Sequence, residues 1–376
     1  MILIFLNIIQ GKMKEMESVY NATQQDKRKI YLDFLRIIAI YMVLFNHTGT
    51  KGFMFFTQAQ YSMWYPFYLF VSISIKMAVP LFFMISGALL LEREETILKI
   101  LKKRFVKYLI MLFFASMAVY LYIHLQSGEL EMSATVFLQQ LYSGKIVVQF
   151  WFLYAYLAFI LMLPLIRKLA FEMKDVDYKW MIFLYTMLRV MQIVQYLITK
   201  GMVSYSSNFS LFISQDSVFY PLMGYYIDRR LQDDKMSKSN LRMLWLLSFV
   251  AVAVSCLMTH YKCIITGDWR ESTCQTFFNT LIFIPTITVF IAAKNWFLHH
   301  DVNEKVRNMI TWVGSRTFGI YLIERICRNE TEGVFWFFKP YIHTFPACLV
   351  WIFVACLFGG IIVSFLKMIP KVNKYI

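Results

Sequence analysis

The segment Tyr31-Leu-Asp-Phe-Leu-Arg-Ile-Ile-Ala-Ile-Tyr-Met-Val-Leu-Phe-Asn-His47 places three ionisable residues in an otherwise apolar run. An ionisable group at membrane depth costs at least about 2.5–3.5 kcal/mol on insertion scales, so each needs a partner or a role. Asp33 and Arg36 are three apart and pair on one helical face. Arg36 and His47 are eleven apart, three turns plus about 20°, so they share a face with about 16 Å between them along the axis. That face carries a cation at one end and, at the other, an imidazole able to exchange protons near neutral pH. The plain alternatives are interfacial anchoring for Asp33 and Arg36 and a structural, hydrogen-bonded His47. Lys76, in Lys76-Met-Ala-Val-Pro-Leu-Phe-Phe-Met-Ile-Ser-Gly87, lies too deep to snorkel easily, and Pro80 and Gly87 allow a kink and close helix approach. Beyond it come Lys99, Lys102, Lys103, Arg104 and Lys107. They read either as a cluster on lipid headgroups or as a phosphate-binding rim for an anionic cofactor.

The elements that must position these residues follow from composition. The chain has 376 residues, 59% hydrophobic and only 16% charged, with a mean hydropathy of +0.54. Soluble domains are about 45–50% apolar and about 25% charged, so an ordinary soluble enzyme, a disordered chain and a collagen-like fibre are excluded. A helix crossing the hydrocarbon core needs about 20 mostly apolar residues. Ten spans meet that ruler: Ile30–His47, Tyr65–Leu91, Tyr108–Leu125, Phe150–Ile166, Trp180–Ile198, Phe209–Ile227, Met243–Met258, Phe277–Ala293, Trp312–Ile326 and Phe345–Met368. The sixth, with Gln215 and Asp216, and the ninth, with Arg316, Glu324 and Arg325, are the weakest. With the N-terminus inside, 26 of the 38 Lys and Arg fall in cytoplasmic segments, seven in the opposite loops and five within spans. That bias predicts an all-α, polytopic membrane helix bundle of about ten helices, N-in and C-in. The net charge of +15 then orients helices on a bilayer, and no nucleic acid is expected as a partner. Residues 1–29 form a cytoplasmic N-terminal segment, 30–368 one membrane domain and 369–376 a cytoplasmic tail. The apolar start Met1–Ile9 is too short to span and lacks the flanks of a signal peptide.

Other residues carry less. Glu324 and Arg325 are adjacent and point to different faces, while Arg189 is expected to pair with an acid elsewhere, Glu324 or Asp216. Trp151-Phe-Leu-Tyr-Ala-Tyr156 reads as an interfacial aromatic belt, and His299-His300 as solvated. The six cysteines show no metal-like spacing, and no metal is expected. Cys263 and Cys274 are expected as thiols, with a disulfide the alternative in an oxidising compartment. There is no P-loop, nucleophile elbow or HExxH, which argues against an ATP-driven pump and a metalloprotease.

The first helix, the Val-Pro-Leu-Phe-Phe-Met-Ile-Ser-Gly87 stretch, Trp151–Pro164 and Phe318-Gly-Ile-Tyr-Leu-Ile323 resemble, in order, the motifs of bacterial membrane acyltransferase family 3. The chain is most similar to the subgroup without a fused extracytoplasmic domain, that of the enterobacterial common antigen O-acetyltransferases. The resemblance implies about ten helices in the bacterial cytoplasmic membrane. It also implies transfer of an acyl group, usually acetyl from acetyl-CoA, to a hydroxyl of a surface glycan or lipid-linked sugar. Carried over by position, it makes His47 the essential catalytic residue, with Arg36 below it and Lys76 as the basic residue before Val-Pro-Leu-Phe-Phe. The family's Arg-x-x-Arg falls on Arg104-Phe-Val-Lys107, where Lys is a point charge rather than a bidentate fork. Arg104, Lys107 and neighbouring Lys103 would receive the donor's phosphates, with Asp33 and Glu324 in supporting positions. This chain departs from many members in having Tyr156 after the Trp-x-Leu motif in place of Glu, and Glu324 in place of His. On the physics of buried charge alone, an exporter of a glycan or lipid-linked sugar is the alternative, and a structural partner in polysaccharide assembly a third.

Overall fold

The computed structural model describes residues 30–127, 133–202, 211–231 and 237–373. Segment 1–29 with Met1–Ile9, the first residues of the sixth span and the end of the tail lie outside the described residues. Among the described residues there are helices and no strand. Six helices are long and apolar enough to cross a membrane: α2 (Tyr65–Leu90), α3 (Ile97–Ser127), α4 (Val148–Glu172), α5 (Asp175–Thr199), α7 (Lys238–Thr266) and α11 (Thr344–Met368). Between them stand α1 (30–46), α6 (Asp216–Arg229), α8 (Phe283–His299), α9 (Glu304–Gly314) and α10 (Thr317–Glu330).

Every sequence span contains helix among its described residues, although the helix starts only at Asp216 in the sixth and at Phe283 in the eighth, and one span is divided. The ninth span, expected as a single helix, breaks at Ser315–Arg316 into α9 and α10. The break follows from Gly314, whose missing side chain lets the end of α9 close on α1. A Cβ there would stand 2.7 Å from that of Asp33. Thr317 Oγ1 then donates to the Gly314 carbonyl at 2.9 Å, closing the turn.

Helix α2 is central: 61% of its membrane window is buried, against 17% for α5, whose Phe183, Val190 and Leu197 face outward. Its middle is loosened by a 3₁₀ turn at Ile75–Met77. Pro80 has no N–H to give the carbonyl of Lys76, so the α-helical ladder lacks a rung there. Lys76 thus sits where the helix is least regular. Lower down, α2 crosses α6 with the two backbones in contact. A Cβ on Gly87 would lie 1.9 Å from the Pro221 carbonyl oxygen, and one on Gly224 1.9 Å from that of Met84. Only hydrogen fits at either position. Around this crossing the core is aromatic and aliphatic, with Phe83, Phe159, Phe219 and Tyr220 essentially inaccessible.

This contact yields a stability prediction. Because backbone cannot swing aside as a side chain does, Gly87→Ala and Gly224→Ala should each cost about 3 kcal/mol or more. Gly333→Ala, in open space, should be neutral. Thermal unfolding in detergent, followed by size-exclusion monodispersity, measures the difference.

Candidate active site

Helix α1 ends at 46, and His47 occupies the turn directly after it. Its carbonyl oxygen accepts from Arg328 Nη1 at 2.7 Å, which pins the turn. Its Nδ1 lies 3.2 Å from Oε1 of Glu324. Glu324 is only 1% exposed, and its other oxygen accepts from Arg328 Nε at 2.9 Å. Arg328 is itself held by Trp351, whose indole Nε1 donates to the Arg328 carbonyl at 3.2 Å. One buried carboxylate therefore stands between a guanidinium and an imidazole. The cation offsets its charge.

His47 opens on a cavity of about 120 Å³ lined also by Asn46, Lys76, Gln149, Trp151, Asp216 and Asn279. Lys76 Nζ donates to Gln275 Oε1 at 3.0 Å and sits 4.6 Å from the Phe53 ring centroid, so the ammonium is fixed beside the imidazole cavity. A second cavity, of about 310 Å³, lies toward the other end of α1 and α2 and is lined by Arg36, Ser86, Arg93, Arg104, Tyr108 and Tyr156. Phe82 and Phe152 line both cavities, their ring centroids 5.9 Å apart. Phe152 also contacts Tyr321 at 5.8 Å and Tyr156 at 5.8 Å, so an aromatic layer divides the two spaces.

The basic wall of the second cavity is held by its own counter-ions. Arg36 is ion-paired with Asp33, as its spacing predicts. Arg104 Nε and Nη2 make a fork to Glu95, both at 2.9 Å, and Arg167 Nη2 adds a third bond at 2.9 Å. The bonds from Arg104, against the cost of burial and with help from Arg167, hold the Glu95 carboxyl down at about 2. Lys107 stands beside this group without lining the cavity, and Lys103 is exposed and outside it. Lys103, which the resemblance places in a phosphate rim, thus stands outside the cavity wall itself. It lies on the π-helical turn Leu101–Phe105, which turns it to the surface.

The family model described as acyltransferase domain, that of acyltransferase family 3, matches residues 29–369. The chain belongs to acyltransferase family 3. No curated protein and no solved structure matches it. This family 3 protein is accordingly a multi-pass membrane acyltransferase.

The structure brings together His47, Lys76 and Glu324 at the upper cavity, and Arg36 and Arg104 at the lower. It resolves the choice for Arg189, which donates to Asp216 at 3.1 Å and to Tyr185 at 2.8 Å. Arg328, counted from sequence as an outer-loop cation, is instead buried on α10. Its spacing of four from Glu324 was the available signal. Arg93, Glu95, Asn46 and Gln149 were also missed, being polar residues at helix ends that no periodicity singles out. In this acyltransferase, Arg328→Met should leave Glu324 an incompletely paired buried charge and cost about 3–5 kcal/mol. Glu324→Gln/Arg328→Met should recover a substantial part of that loss, as read from detergent melting curves.

Proposed function

We propose that the protein transfers acetyl from acetyl-CoA on the cytoplasmic face to a hydroxyl of a cell-surface glycan or lipid-linked sugar presented at the outer face. In this reading the chain crosses the bacterial cytoplasmic membrane ten times, with both termini inside. The 26-to-7 distribution of Lys and Arg supports that orientation. The observation that carries the proposal is the pair of cavities meeting at Phe82 and Phe152, one basic and one holding His47 on a buried carboxylate.

The nucleotide phosphates bind at Arg104 and Arg93, with Lys107 adding charge nearby, and the pantetheine arm passes Arg36 toward His47. The arm must cover about 16 Å along α1. Arg104 leaves part of its fork to Glu95 when a phosphate arrives, so the donor site is kept charge-balanced until it is filled. With Nδ1–H held toward Glu324, the other ring nitrogen of His47 takes the proton from the acceptor hydroxyl. The hydroxyl oxygen attacks the thioester carbonyl, and the oxyanion forms next to the Lys76 ammonium in surroundings that exclude most water. The C–S bond then breaks, and the thiolate takes the proton back from His47 and leaves as CoA. Glu324 stabilises the imidazolium between these steps, and Asp33 orients Arg36.

Purified protein supplied with acetyl-CoA should release free thiol, faster when acceptor is present. His47→Ala should lower this by about 10²–10⁴-fold while remaining folded; undiminished transfer by that variant would sink the mechanism. Arg104→Ala should raise the donor KM by about 10-fold with a smaller change in kcat, the signature of lost ground-state binding. An exporter would release no thiol under any of these conditions.

A further inference from the structure

The segment after α7 is folded back so that two cysteines meet. Cys263 lies in the last turns of α7 and Cys274 at the end of the short helix Glu271–Cys274. Their sulfurs are 3.2 Å apart, and neither residue has exposed surface. The turn between them is held by its own polar contacts. Asp268 accepts from the backbone N of Arg270 at 2.9 Å, from both arms of the Arg270 guanidinium, and from Thr273 Oγ1. Lys262 donates to Thr276 across the same fold. The other buried thiols are placed differently: Cys327 packs against Gly359, and Cys348 against Gly52.

We infer that Cys263 and Cys274 form a disulfide in the mature protein, a covalent clip that fixes the roof of the His47 cavity. A small side-chain rotation brings two sulfurs in contact to the bonded distance of about 2.0 Å. The residue following Cys274 is Gln275, the acceptor of Lys76, and three and four residues further on stand Phe278, beside the Lys76 ammonium, and Asn279, in the cavity wall. The clip thus sets the position of the group that holds Lys76. Its formation is a two-electron oxidation by an extracytoplasmic disulfide-bearing oxidant. One thiolate attacks the oxidant's disulfide and expels one thiol; the second cysteine displaces the other, leaving the intramolecular S–S bond and a dithiol. This takes place before the segment packs, and burial afterwards keeps reductants out.

The inference rests on the outward placement of this segment proposed above, and the experiment separates the two. Cells are quenched in acid, the protein is alkylated in denaturant without reductant, and peptides are mapped by mass spectrometry. The expected result is a cross-linked Cys263–Cys274 peptide that reductant splits, with Cys327 and Cys348 alkylated in the same sample. In parallel, Ser272→Cys in a Cys263→Ser/Cys274→Ser background is exposed to an impermeant maleimide on intact cells. Labelling of Ser272→Cys together with fully alkylated Cys263 and Cys274 in the wild type overturns the disulfide and leaves the topology standing. Labelling only after cell disruption overturns the topology and the disulfide with it.

Discussion

The backbone contact between α2 and α6 at Gly87 and Gly224 sets the geometry on which both cavities depend. Helix α2 contributes Ile75, Lys76, Val79 and Pro80 to the upper space and Ile85, Ser86, Leu89 and Leu90 to the lower, with Phe82 in both. A shift of this helix by the width of one methyl group would move Lys76 relative to His47 and Ser86 relative to Arg36 at once. Helices in lipid gain nothing from hydrophobicity toward one another, so close packing at small residues is what locks such a crossing. Pro80 adds the complementary feature: it frees the carbonyl of Lys76 and lets the chain loosen where the ammonium has to be aimed.

Much of the lower site was legible because it is local. Asp33 and Arg36 pair at a spacing of three, whereas Trp151 and Phe152, read from sequence as part of an interfacial belt, line the His47 cavity. The pairing of His47 with Glu324 was not legible, because the two residues come from opposite ends of the chain and periodicity says nothing about which distant helices meet. Glu324 stood out as an ionisable residue in the ninth span, as one option for Arg189 and as a departure from a family pattern, and it is the carboxylate against the imidazole. Arg328 shows the opposite failure. Its i, i+4 relation to Glu324 was visible, but counting charges by loop assigned it to the surface. Around Lys103 a cluster of basic residues spans all faces of the turn, and the sequence does not say which face meets the protein.

The two ends of α1 solve the same electrostatic problem differently. At Arg36 and Arg104 the cations are neutralised by Asp33 and Glu95 near a wide, polar space, where an incoming anion can compete for them. At His47 the charges are an anion and a cation fixed among buried side chains, with the imidazole beside an already balanced pair. The first arrangement suits exchange of partners, the second suits a proton that comes and goes.

The aromatic layer at Phe82 and Phe152 has an electrical consequence. Two cavities with polar linings approach one thin aromatic partition along α2, so a charge that moved between them in an energised bilayer would cross part of the voltage at those few rings. A unit charge crossing such a drop exchanges about 2.3 kcal/mol per 100 mV with the membrane. In the proposed reaction a neutral acyl thioester would pass the rings without electrical work, whereas a proton or metal ion would meet the voltage. Under that proposal the partition would act as an electrical insulator between the donor and acceptor spaces while the acyl group passes from one to the other.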